Sequence, residues 1–131
     1  MLRLKIKVCR DRCVESLAIA NTGFIGLESE ILLPQGILES IVNNITFTTT
    51  TRILADGTRV SLRKTVEPLD VYVVEEDRVE GPVKAKALVS RAGSTLLNDK
   101  LLSELRIAII DPGRGLWCFI DEIGRATRRS Y

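Results

Sequence analysis

Apolar and basic residues alternate through Leu2-Arg3-Leu4-Lys5-Ile6-Lys7-Val8, the period of a half-buried strand and not the pattern of a signal peptide. Segment 14–20 returns as its hairpin partner across the three-residue loop Arg10-Asp11-Arg12. Pro34 and Gly36 then interrupt the chain, and 37–42 has helical spacing for a turn or two before Asn43-Asn44. Segment 45–54 holds four consecutive threonines, and β-branched residues at that density favour a strand. Asp56-Gly57 is a hairpin turn, since Asp-Gly supplies the positive φ that tight turns need, and 60–66 leads back.

Strands are expected again over 69–74 and 83–89, around an acidic turn at 75–82 that contains Gly81-Pro82. The one amphipathic helix expected lies over 96–105, with Leu97, Leu101, Leu102 and Leu105 on one side. A last hairpin, 106–110 with 116–120, surrounds Asp111-Pro112-Gly113. Many short strands with one late helix predict a closed, mostly β architecture. The pattern shows no repeat, linker or low-complexity segment.

Composition changes this picture in three places. A chain of 131 residues, 45% of them hydrophobic, suits one domain that buries about two thirds of its unfolded surface. No run of about 20 apolar residues is present, so no membrane-spanning helix is expected, and a cytoplasmic location is the default. The net charge of +2 comes from Arg125, Arg128 and Arg129, because residues 1–124 carry 16 basic against 17 acidic groups. We therefore expect a domain over 1–124 and a short, solvated basic tail over 125–131, and not a basic face for nucleic acid.

Histidine is absent, which excludes Ser-His and Cys-His nucleophile pairs and any His-ligated zinc. With a single glutamine and many arginines, the same absence points towards a thermophile. Cys9 and Cys13 bracket the first hairpin loop and stand where a disulfide can form. A reducing cytosol favours free thiols, and free thiols are the expectation, with the bridge as its alternative. Zinc would need a fourth ligand beyond Cys9, Cys13 and Cys118, so neither metal nor cofactor is expected.

The candidate chemistry lies where the second strand ends, in Ala18-Ile19-Ala20-Asn21-Thr22-Gly23-Phe24-Ile25-Gly26. This stretch resembles the Asp-Thr-Gly loop of retropepsin-like aspartic proteases, including the small Asp-Thr-Gly-Phe proteins of archaea and bacteria, with Asn21 in place of the acid. The resemblance covers nearly the whole chain and implies a closed β-barrel with one short late helix, paired as a two-fold dimer. It places Asn21, Thr22 and Gly23 at the catalytic position, and a flap at Leu54, Ala55, Asp56 and Gly57. A second loop, in which Asn98 follows Leu97 at the family's Gly position, completes the pattern. Asn tolerates a left-handed backbone better than most residues, so that replacement looks conservative, whereas Asp99 stands where viral members carry an Arg.

In such enzymes two carboxylates share one proton across two separated pKa values. A carboxamide has nearly the same shape and no usable basicity, and general acid–base assistance is worth roughly 10² to 10⁴ in rate. Neither Asp56 nor Asp99 is expected to substitute for the acid. The resemblance thus implies a catalytically silent homodimer that binds extended peptides by strand-like pairing. Two alternatives stay open: an active endopeptidase whose natural residue 21 is Asp, and an unrelated β-barrel binding nucleic acid through Arg52, Arg59, Arg63 and the tail. The last is poorly supplied with stacking platforms, having six aromatic residues in all.

Overall fold

The computed structural model describes residues 1–53, 56–90 and 93–131. Strands β1 (Arg3–Cys9) and β2 (Cys13–Ala20) form the expected hairpin. Leu4, Ile6 and Val8 are fully buried while Arg3, Lys5 and Lys7 point outward, the segregation that the alternation dictates. The loop is pinned from below, since the amides of Asp11 and Arg12 both donate to the Ile41 carbonyl, at 2.9 and 3.1 Å. The expectation of free thiols is corrected here. Register sets Cys9 opposite Cys13 with Cα atoms 4.1 Å apart, and the two form a disulfide. Proximity across a short loop decides this pairing, and an argument from compartment carries no information about proximity.

The remaining strands of the main sheet are β3 (Glu30–Pro34), β4 (Phe47–Ile53), β5 (Arg59–Thr65), β6 (Leu69–Val74), β7 (Val79–Ser90) and β8 (Leu96–Leu97). They form a large mixed sheet in the order β3-β8-β2-β1-β6-β7-β5-β4, and β3 also pairs in parallel with β7. Successive pairings therefore return to β3, while the β4–β5 hairpin branches off β7. The protein is mostly β. The turn expected over 75–82 is shorter than predicted, because β7 already begins at Val79. Gly81 and Pro82 lie inside that strand, opposite Tyr72, where the register shifts between Val71 and Val73.

Two α-helices lie where helical spacing was expected, the short one near 37–42 and the late amphipathic one. α1 (Gln35–Ile41) buries Leu38 and Ile41 at helical spacing. The late helix α2 spans only Asp99–Glu104, because Leu96 and Leu97 pair with Ile31, Leu32, Ile19 and Ala20 as a strand. Asn98 ends that strand and caps the helix. One continuous core joins Leu4, Ile6, Ile31, Leu33, Leu38, Val71, Leu97, Leu101, Trp117 and Phe119.

A second sheet of three strands follows, from β9 (Ile107–Asp111), β10 (Leu116–Phe119) and β11 (Arg128–Arg129). The last residues are thus paired onto the domain through β11, although Arg125, Ala126, Thr127, Arg129 and Tyr131 stay exposed. Arg128 is the reason. Its guanidinium donates to Asp77 at 2.8 and 2.9 Å and to Glu122 at 2.7 and 2.8 Å, over the ring of Phe119 at 4.9 Å. Arg78 lies over the same ring at 4.2 Å and pairs with Glu80 and Asp121. These carboxylates are spread over residues 77–122, so the composition of the tail gave no sign of them.

The arginines also set a pH dependence. Hydrogen bonds from Arg128 hold the carboxyls of Glu122 and Asp77 below their ordinary values, and those from Arg78 do the same to Asp121. A depressed folded value contributes stability that is complete above about pH 5 and lost as pH falls below about 4. We predict that Arg128→Ala costs about 3 kcal/mol in urea unfolding at neutral pH, as removal of one partner from a mostly buried ion pair does. Arg129→Ala, an exposed neighbour, should stay within about 0.5 kcal/mol. The gap between the two variants should narrow on acidification.

Candidate functional site

β2 delivers Asn21 at its end, where the Asn21 amide donates to the Leu97 carbonyl at 3.1 Å. The carboxamide then folds back on its own loop. Its Oδ1 accepts the Gly23 amide at 3.0 Å, and its backbone carbonyl accepts that of Phe24 at 3.1 Å, so local hydrogen bonds fix the turn. Thr22 and Gly23 are exposed, and Asn21 is half-buried.

Leu97 and Asp99 hydrogen-bond to this loop, and Asn98 between them is not held by a left-handed backbone. It has φ −79° and ψ 173°, an extended backbone open to any residue, so left-handed tolerance is not why Asn stands at this position. Its fully buried side chain is the reason. Oδ1 accepts from the amides of Glu30 at 3.0 Å and Leu101 at 2.9 Å, and Nδ2 donates to the Glu28 carbonyl at 2.9 Å. Asn98 is at once the N-cap of α2 and the clasp between that helix and the start of β3. Among the described residues Asp99 makes no ion pair. It donates its amide to the Phe24 carbonyl and accepts the Gly26 amide on Oδ1 at 3.2 Å, which ties the helix to the Asn21 loop.

The β4–β5 hairpin stands over the Asn21 loop. Asp56 and Gly57 form its exposed tip, with Gly57 at φ 85° and the Thr58 amide donating to Asp56 at 2.9 Å. Hydrogen bonds from Thr58 hold the Asp56 carboxyl below its usual value. Leu54 and Ala55, also expected in the flap, lie outside the described residues. Between hairpin and loop is an open cavity of about 710 Å³. Asn21, Gly23, Phe24 and Ile25 line one side, Arg52, Ile53, Val60 and Leu62 another, with Leu32, Leu88 and Leu96 at the base. The cleft thus unites Asn21 and Gly23 with the hairpin. Thr22, Asp56, Gly57, Leu97 and Asn98 are not among its lining residues.

Sequence reasoning missed the charged group beside this cleft. Glu30 is 1% exposed, and its Oε2 accepts from Arg52 Nη2 and Lys64 Nζ, each at 2.6 Å. Lys64 also pairs with Glu28 at 2.7 Å. The Lys64 hydrogen bond leads in holding the Glu28 carboxyl below its ordinary value. Burial works against the Lys64 ammonium, but Glu28 and Glu30 outweigh it and its pKa is raised. Gly26 is wedged in: a Cβ there would stand 2.7 Å from Glu30 Oε1 and 2.8 Å from Asn98 Nδ2. The available signal was Glu30 itself, an acid heading the otherwise apolar run Ile31-Leu32-Leu33.

No family model matches the chain, and no curated protein matches it. Chemically, the cleft offers apolar walls, one carboxamide and one guanidinium, with no carboxylate among its described lining residues. None of these described lining residues is an ordinary general base near neutral pH. Of the arginines considered for nucleic acid, Arg52 is paired to Glu30 and Arg63 is engaged by Gln35 and the Phe47 ring. Among the described residues no helix is long and apolar enough to cross a membrane.

Asn98→Ala is predicted to destabilise the fold by about 2 to 4 kcal/mol, the sum of a lost cap and buried groups left without partners. Thermal and urea unfolding would measure it. A loss below about 0.5 kcal/mol, the level of an ordinary surface substitution, would contradict the clasp.

Proposed function

We propose that the chain is a retropepsin-like aspartic protease homologue that acts as a two-fold homodimer, silenced by Asn21, and binds extended peptides. The observation that carries this reading is the cleft itself: the Asn21–Gly23 loop faces a β-hairpin across an apolar trough with no carboxylate among its described lining residues. The circuit of pairings through β3 supports the barrel part of the proposal. Support for the dimer comes from what the loop leaves uncovered. Thr22 is exposed, Ile25 is 71% exposed and Leu27 fully so, an apolar surface that a symmetric copy would cover.

In that assembly two carboxamides would meet where the family sets two acids. Asn21 cannot hold a titrating proton, so the pair orients a peptide without activating water. Asn21→Asp preserves shape, and the Gly23 amide that now meets Oδ1 would serve a carboxylate equally well.

Two measurements test the reading. Sedimentation at micromolar concentration should give about twice 14.6 kDa, and a clean monomer would contradict the two-fold site. Peptide cleavage assayed from about pH 3 to 7, the range that brackets a shared-proton dyad, should be absent for the Asn21 chain. It should appear in Asn21→Asp, best at acidic pH and sensitive to a pepstatin-type inhibitor. Inhibitor-sensitive turnover by the unaltered chain would mean that the catalytic residue lies elsewhere. Silence in Asn21→Asp would leave binding as the whole function.

A further inference from the structure

The cleft holds one charge. Among its described lining residues Arg52 alone is ionised, and it stands among Leu62, Leu88 and Leu32. A guanidinium has five N–H donors, and among the described residues only its Nη2 is engaged, by Glu30. Glu30 is itself immobilised: it is 1% exposed, its amide donates to Asn98 Oδ1, and its carbonyl accepts the Asn98 amide at 3.2 Å. The guanidinium is therefore oriented from behind, with its side chain still 26% exposed. Glu30 does not neutralise it alone, because the same Oε2 also serves Lys64. Around the site Glu28 and Glu30 face Arg52, Lys64 and Lys86. Two carboxylates thus stand against three cations.

We infer that the cleft takes extended peptides that carry a carboxylate, received by the free edge of Arg52 while apolar side chains fill the trough. The inference rests on the peptide-binding reading above and names its ligand class. A carboxylate suits the vacancy on two counts. It matches the fork of a guanidinium with two parallel hydrogen bonds, and it supplies the negative charge that the cluster lacks. Leucine walls withdraw such a contact partly from water and strengthen it beyond its value on a fully open surface. An acidic side chain and a peptide's C-terminus offer the same chemistry.

The test uses short peptides with a Leu-Val-Phe centre and an uncharged boron-dipyrromethene label, in four forms: Glu or Gln beside the centre, each with a free or amidated C-terminus. Fluorescence anisotropy with the unaltered Asn21 chain should show carboxylate forms binding about tenfold tighter, as one charge-assisted hydrogen bond provides. A Glu-over-Gln preference assigns the side chain, and a free-acid-over-amide preference assigns the C-terminus. Arg52→Gln should erase the preference while apolar binding persists, and Arg52→Lys should keep part of it. Should Arg52→Gln fail to fold, the Arg52 side-chain NMR signal of the unaltered chain decides. It should shift with the carboxylate peptide and not with its neutral counterpart. Equal affinity for all four peptides overturns the inference and leaves the peptide cleft standing. Failure of every peptide to bind overturns both.

Discussion

Glu30 is the residue on which the rest of the site depends. Burying a carboxylate costs several kcal/mol unless good partners replace its water, and here Arg52 and Lys64 do so at 2.6 Å each. Those cations belong to the two strands of the β4–β5 hairpin, so a single buried acid fastens both strands of the hairpin to the body. The backbone of Glu30 meanwhile meets Asn98 in both directions, which fixes the start of α2. Through Asp99, that helix holds Gly26 and Phe24 of the Asn21 loop. Loop, helix and hairpin all converge on the first residue of β3.

On the proposed reading, this arrangement is what lets the cleft persist with Asn21 where the family carries an acid. None of the contacts that shape the Asn21 loop uses a charge at position 21. The Gly23 amide needs only an oxygen at Oδ1, and the backbone bonds to Leu97 and Phe24 do not involve the side chain. Under the proposal, Asn in place of Asp at position 21 removes chemistry and leaves geometry. The acidic range in which a restored dyad would work is also the range in which the Arg78–Arg128 cluster loses support, since its carboxylates take up protons there. Stability and restored activity would therefore oppose each other as pH falls.

The local periodicities carried most of the fold. Alternation placed β1 and β2, β-branched density placed β4, and Asp56-Gly57 placed the hairpin turn. Local pattern failed where a distant partner decided the outcome. Leu96 and Leu97 have helical spacing but pair with β2 and β3, and Arg128 looks like a solvated tail residue until Asp77 and Glu122 arrive from elsewhere. Asn98 was noticed for the wrong reason: its importance lies in three buried hydrogen bonds, to which backbone preference offers no clue. Of the site, Asn21 and Gly23 were legible from the loop motif. Arg52 was legible only as a charge, because its meaning comes from Glu30, 22 residues away in sequence.

The central claim is that two Asn21 loops meet across a two-fold axis, and proximity at that axis can be measured directly. Thr22 is exposed beside Asn21, so Thr22→Cys should form a covalent dimer under mild oxidation, read on a non-reducing gel. Arg114→Cys, at a side chain 82% exposed on the β9–β10 turn, should stay monomeric under the same conditions. Cross-linking at position 22 alone is the predicted result. No cross-link at 22, or equal cross-linking at both positions, would contradict the paired-loop account.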